Sequence, residues 1–257
     1  MKLYQETSGT GPALVMLHGW GLNLRVFDTL RDELAPQLEV VGIDLPGHGG
    51  SPWDASRADF AAQIQWLLAS LPPRYSLLGW SLGGQFAIEL ARIAPERLQR
   101  LLLVATTPRF TAAPDWPDGM SAAVFADFEA QLQRDWRNTV ADFLQLQVRG
   151  SRDATRSLQR LEAALQSQGQ ADPAALAAGL GLLQGLDQRA QLAAIATPTL
   201  VIAGQHDRIT PPAAGAFLAA HLRDAELAIV PRAGHVPFLS HATLFVGLLR
   251  EFMQVPA

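Results

Sequence analysis

The sequence predicts an α/β fold, a mostly parallel central sheet flanked by helices with an all-helical cap inserted after the sixth strand. Three observations predict it. The short apolar runs are continuous rather than alternating, as strands covered on both faces require. Helix-length segments separate them, as crossovers between parallel strands demand. One long stretch, from about Pro108 to Ala196, offers no strand candidate.

Taken in order, the strand candidates are "ALVMLHG" (13–19), "LEVVGIDL" (38–45), "YSLLGW" (75–80), "LQRLLLVAT" (98–106), "TLVIAG" (199–204) and "ELAIVP" (226–231). Helical patterns fill 25–35, 56–70, 82–94, 211–222 and 240–254, with Pro36 and Pro95 as stops. The strandless stretch opens on Pro108, Pro114 and Pro117 and continues through helical sequence rich in alanine, glutamine and leucine. Strand-like sequence resumes at Thr197-Pro198. The expected organisation is a core of residues 1–108 and 197–257 and a helical cap, or lid, of 109–196.

A chain of 257 residues, 49% hydrophobic and 17% charged, builds one sizeable core and is poor material for disorder. The absence of cysteine excludes disulfides, thiolate metal sites and a thiol nucleophile. A net charge of −4 argues against a general nucleic-acid binder. No apolar run approaches the roughly 18 residues of a spanning helix, and the N-terminus lacks the pattern of a secretory signal. A cytoplasmic protein, monomeric and without membrane attachment, is expected. Charge is unevenly spread: residues 134–160 hold six arginines against three acids.

Chemistry enters at Gly79-Trp80-Ser81-Leu82-Gly83, a G-x-S-x-G run between a predicted strand and a predicted helix, with Gly84 behind it. A sharp strand-to-helix turn lifts the serine hydroxyl above the strand end, and side chains two positions away on either side would collide. A serine needs a base, and the base needs an acid to hold its tautomer. Chain order serine, acid, histidine removes His18 and His48, which precede Ser81. His221 falls inside a helical pattern, His206 directly precedes an acid, and His241 begins the last helix as a capping or surface residue. His235, in "PRAGHVPF" after the last strand, is the candidate base. Asp207, in "GQHDRITP", is the candidate acid; Asp224 lies at the wrong end of a strand. Oxyanion donors are expected from the backbone N–H groups of Leu82 and of Trp20 in "LHGWGLN". His18 has an expected structural role, tying that loop together.

These blocks, "HGW", "DLPGHG", "GWSLGG", "GQHD" and "AGHVPF", resemble the α/β-hydrolase superfamily along the whole chain. Within it, "MLHGWGLN", "LGWSLGG", "FLQLQ" and "AGHVPFLSH" are most similar to the family of carboxylesterases that cleave the pimeloyl-[acyl-carrier protein] methyl ester in biotin synthesis. That resemblance implies an α/β-hydrolase fold and a triad of Ser81, Asp207 and His235. It implies an oxyanion hole at Trp20 and Leu82, and an acyl pocket at Phe143, Leu144, Gln145, Leu146 and Gln147. No metal or organic cofactor is called for. His48 stands where a bulkier apolar residue is the family's habit. Arg149, Arg152, Arg156 and Arg160, spaced by three, four and four, would share one face of a helix. They read either as a solvated face or as a docking strip for an acidic acyl-carrier protein. Two other functions stay open: a generalist carboxylesterase or a C–C or lactone hydrolase, and a non-catalytic hydrolase-like binding protein.

Overall fold

A computed structural model describes residues 2–256. Seven strands form one sheet: β1 (Gln5–Ser8), β2 (Ala13–Leu17), β3 (Glu39–Ile43), β4 (Tyr75–Trp80), β5 (Leu98–Val104), β6 (Thr199–Gly204) and β7 (Ala225–Val230). Their spatial order is β1-β3-β2-β4-β5-β6-β7, parallel throughout except for β1 against β3. Continuous apolarity has the expected meaning in β2, β4 and β6, which are buried along their whole length. Alternate residues go to opposite faces: Val15, Leu77 and Leu101 join one core, Leu14, Leu78 and Leu102 the other. Each such side chain contributes roughly 1.5–3 kcal/mol by leaving water.

Helices cover both cores. Between the strands run α1 (Asp28–Leu34), α2 (Phe60–Leu68) and α3 (Leu82–Ile93). Four more follow β5: α4 (Ala122–Arg134), α5 (Trp136–Val148), α6 (Ala154–Gln168) and α7 (Pro173–Gly185). The chain ends with α8 (Pro212–His221), the short α9 (Pro237–Ser240) and α10 (Ala242–Met253). Ile64, Phe86 and Leu218 cover one face, Leu30 and Leu249 the other.

Three details differ from expectation. The run of four helices follows the fifth strand in chain order, not the sixth, because a single strand precedes β2. That strand, β1, was invisible to a search for apolar runs: it reads "QETS" and lies half-exposed at the sheet edge. At the other edge β7 is only partly covered, with Leu227 and Ile229 exposed. Within the helical sequence after β5, Asp135 ends α4, and its carboxylate caps α5 through Asn138 N–H.

Candidate active site

Ser81 stands between β4 and α3 with φ 56° and ψ −120°, a conformation β-carbon-bearing residues seldom adopt. The turn is held by Ser81 N–H donating to Val104 O at 3.0 Å and Thr106 Oγ1 donating to Ser81 O at 2.7 Å. Glycine is required around it by close approach. A Cβ on Gly79 would sit 2.4 Å from Gly83 O, and one on Gly83 would sit 2.4 Å from Leu17 O. A serine at a helix N-cap normally turns its hydroxyl onto the first-turn N–H groups. Here it makes no such bond and faces an imidazole instead.

That imidazole is His235, whose Nε2 lies 2.9 Å from Ser81 Oγ. Its Nδ1 lies 2.8 Å from Asp207 Oδ2. Asp207 is buried but well supplied with donors: Ile209 N–H at 2.8 Å, Thr210 N–H at 3.0 Å and Thr210 Oγ1 at 2.8 Å. These bonds satisfy a carboxylate held away from water, and they leave Oδ2 directed at the ring. Aspartate accepting from the residues two and three ahead is the local turn that "DRIT" encodes. Three side chains from positions 81, 207 and 235 thus form one hydrogen-bonded line at the carboxyl ends of β4, β6 and β7.

Two participants were missed by sequence reasoning. Thr210 ties the acid and also approaches His235 Nδ1 at 3.3 Å. Trp80 donates its indole N–H to His235 O at 2.9 Å. Its place beside the serine was visible, but nothing in the motif signalled a bond to a residue 155 positions later.

The proposed oxyanion donors come close to Ser81 by two routes. Leu82 opens α3, where first-turn N–H groups lack intrahelical acceptors. Trp20 follows Gly19, at which a Cβ would lie 3.2 Å from Ser81 Cβ. The Trp20 ring is anchored by its own indole N–H, which donates to Leu176 O at 3.0 Å. His18 sits beneath, its Nδ1 donating to Gly19 O at 2.8 Å while Nε2 accepts Leu45 N–H at 2.9 Å. Full burial pulls its pKa down to about 3, so it is a neutral strut. His48 is likewise buried, Nδ1 donating to Pro46 O at 3.0 Å, with its pKa pulled by burial to about 4. Beside them Asp44 receives Leu24 N–H, Gly50 N–H and Gln168 Nε2, and desolvation raises its pKa to about 6.

A narrow cavity of about 60 Å³ opens on Ser81, walled by Trp20, Phe110, Phe128, Phe143, Leu146 and Leu180. Trp20 meets Phe128 and Phe143 edge-on, at centroid distances of 5.4 and 5.3 Å. Larger depressions exist, such as the groove of about 430 Å³ containing Thr29, Phe238 and Arg250, but none of the three aligned polar residues lines it. Of the five expected acyl-pocket residues, Phe143 and Leu146 line the cavity. Leu144 joins the opposite core and Gln145 is exposed, because successive helical positions turn through about 100°. Gln147 is buried, and its backbone carbonyl accepts His235 N–H at 3.0 Å.

The four arginines do not share one helical face. Arg149 and Arg152 lie in the turn before α6, which starts at Ala154. Arg156 is exposed on that helix, while Arg160 is half-buried and donates to Leu239 O at 3.5 Å. Glycine at 150, with φ 82°, breaks the helical register that the spacing assumed. Among the described residues none of the four has an acidic partner. The remaining histidines are also placed: His206 Nδ1 donates to Gly150 O, His221 Nδ1 to Phe217 O, and His241 contacts Ser240 Oγ. No helix among the described residues is long and apolar enough to cross a membrane.

Comparison with known proteins agrees with the architecture. The family model for the alpha/beta hydrolase fold matches residues 12–242. A pimeloyl-[acyl-carrier protein] methyl ester esterase of Nitrosomonas europaea is 43% identical over 246 residues, covering 96% of this chain and 97% of the relative. Another so named, from Xanthomonas oryzae pv. oryzae, is 40% identical over 252 residues and covers 98% of each. Among solved structures, an esterase from Exiguobacterium antarcticum superposes with a TM-score of 0.89 at 22% identity, covering 98% of this chain and 95% of that one. A hydrolase from Pseudomonas aeruginosa gives 0.81 at 28% identity, covering 97% and 93%.

Proposed function

The chain belongs to the α/β-hydrolase family, and from that premise we propose that it is a serine carboxylesterase hydrolysing the methyl ester of a pimeloyl chain carried on acyl-carrier protein. This step frees the terminal carboxylate for biotin synthesis in the cytoplasm. The observation that carries the chemistry is the continuous line from Ser81 Oγ through the His235 ring to Asp207, 2.9 and 2.8 Å per contact. Relatives about 40% identical over nearly the full chain carry the substrate class.

His235 takes the proton of Ser81 as Oγ attacks the ester carbonyl. The N–H groups of Trp20 and Leu82 receive the oxyanion. His235 then protonates the departing methoxide, methanol leaves, and water attacks the acyl-enzyme by the same route. Asp207 holds the ring with Nε2 toward the serine and stabilises the imidazolium. The acyl chain lies against Phe143 and Leu146, under a lid made of residues 109–196 on a core of 1–108 and 197–257.

A partition of three side chains, Phe128, Phe143 and Leu146, separates the cavity from an outer groove of about 680 Å³ that runs to Arg149 and Gly150. Arg149 lines that groove, and the exposed Arg152 and Arg156 follow it in sequence; together with Arg160 they are the candidate docking groups for an acidic carrier. They attract it over about one Debye length, roughly 8 Å at physiological salt. Replacing Arg149, Arg152 and Arg156 together by alanine should lower kcat/KM for the carrier-bound ester about tenfold or more. It should leave a small soluble ester unaffected. Equal turnover of the carrier-bound ester by variant and wild type would remove the carrier from this reading.

A further inference from the structure

The loops bearing Asp207 and His235 are fastened to the helical segment as well as to the sheet. His235 N–H donates to Gln147 O at 3.0 Å, and the preceding Gly234 N–H donates to Ser151 Oγ at 2.8 Å. On the acid's side, His206 Nδ1 donates to Gly150 O at 3.0 Å. Arg152 N–H closes the set by donating to Arg232 O at 3.2 Å. The end of α5 and the turn after it thus meet both loops within six residues of sequence.

The joint is tight. A Cβ on Gly234 would fall 2.8 Å from Ser151 Oγ, 3.1 Å from Gln147 O and 3.2 Å from Arg149 O. Trp80 grips the far side of the same peptide through His235 O. His235 is therefore held at its N–H from the helical segment and at its carbonyl from the sheet. Its ring can bridge Ser81 and Asp207 only while both grips agree. Of the four bonds crossing the joint, one alone depends on a non-titrating side chain, the hydroxyl of Ser151. That hydroxyl lies on a turn already fixed by Ser151 N–H donating to Val148 O at 3.0 Å.

We propose that Ser151 is a positioning residue for the general base: by accepting Gly234 N–H it sets the loop that aims His235 at Ser81. Ser151 neither lines the cavity nor touches Ser81, His235 or Asp207, so it acts through Gly234. The proposal rests on the esterase reading, and its test separates the two.

The test compares wild type with Ser151→Ala, Ser151→Thr and Gly234→Ala, following kcat and KM on a small ester, Ser81 labelling by a fluorophosphonate, and the NMR signal of the His235 Nδ1 proton. Small misplacements of a catalytic group cost up to about a hundredfold. Ser151→Ala should lower kcat and the labelling rate together, about fivefold to twentyfold, with KM unchanged and the Nδ1 proton shifted. Ser151→Thr, which keeps the hydroxyl, should recover most of the rate. Gly234→Ala, which pries the joint from its other side, should reproduce the loss. The proposal is overturned if folded Ser151→Ala keeps kcat, labelling rate and Nδ1 shift within twofold or unchanged, or if it loses thermal stability alone. Should wild-type Ser81 resist labelling, the esterase reading fails, and the Nδ1 proton alone decides whether Ser151 sets the ring.

Discussion

The sheet end and the helical segment above it hold the same cavity by opposite means. Below, positions are fixed by directional bonds: the Asp207 carboxylate collects four, and the elbow around Ser81 admits no Cβ at Gly79 or Gly83. Above, the walls are apolar rings and branched chains, such as Phe128, Phe143 and Leu146, which define a volume rather than a direction. Hydrogen bonds lose their worth within tenths of an ångström, whereas apolar packing tolerates exchange of shapes of similar volume. Rate should therefore be written in the directional bonds of the floor, the Ser151 tether to the His235 loop included, and selectivity in the apolar walls of the roof.

The sharpest way to break that division is at the floor. Ser81→Ala should lower kcat by about 10⁴-fold or more with folding intact, because it removes the nucleophile that the whole line serves. A steady-state assay on any methyl ester measures it; residual activity near wild type would remove Ser81 from the role of nucleophile. Asp207→Asn should follow, at about 10³- to 10⁴-fold, since an amide can hold His235 in the wrong tautomer. A loss confined to KM in either variant would mean that the floor does not set the rate.

The second test concerns the buried struts under the floor. His18 and His48 have pKa values near 3 and 4 in the folded protein against about 6.5 unfolded. Depressed in this way, they favour the folded state above pH 6.5 and withdraw that support as pH falls toward 4. Asp44, raised to about 6, works in the opposite direction and offsets part of the loss. At about 1.4 kcal/mol per pH unit per group, the two histidines outweigh the one acid by about 3 kcal/mol between pH 7 and 4.5. Calorimetry should show Tm falling by about 10 °C over that interval. His48→Gln should flatten the fall; an unchanged slope would mean that His48 is not the buried neutral strut that its bonds describe.

The same contrast explains what was legible in the sequence. Strands buried on both faces announce themselves, as β2, β4 and β6 did, because nearly every position is apolar. The elbow was legible because sterics force glycine at fixed offsets. His235 and Asp207 emerged from chain order and loop position, a topological constraint rather than a local one. Hidden were the features whose cause is tertiary. β1 is recruited by its neighbour despite a polar sequence, and β7, at the far edge, leaves the apolar Leu227 and Ile229 exposed. Thr210 and Trp80 act through bonds that no spacing rule reports. The arginine strip failed as a helical face because Gly150 interrupts the helix that the three-four-four spacing presumed.

The smallest effect belongs to the roof. Leu146 lines the cavity from α5, is only half-buried, and touches none of the directional bonds below. Leu146→Ala should therefore leave kcat for an acetate ester within twofold, since the shortest acyl group does not reach it. For a straight-chain ester of pimeloyl length the removed methyl groups are lost contact surface, on the order of 1–2 kcal/mol. KM should then rise about tenfold with little change in kcat. A set of methyl esters of increasing chain length measures this as a penalty that grows with length. If instead kcat fell equally for all lengths, Leu146 would be steering the reacting groups, and roof and floor would be one device rather than two.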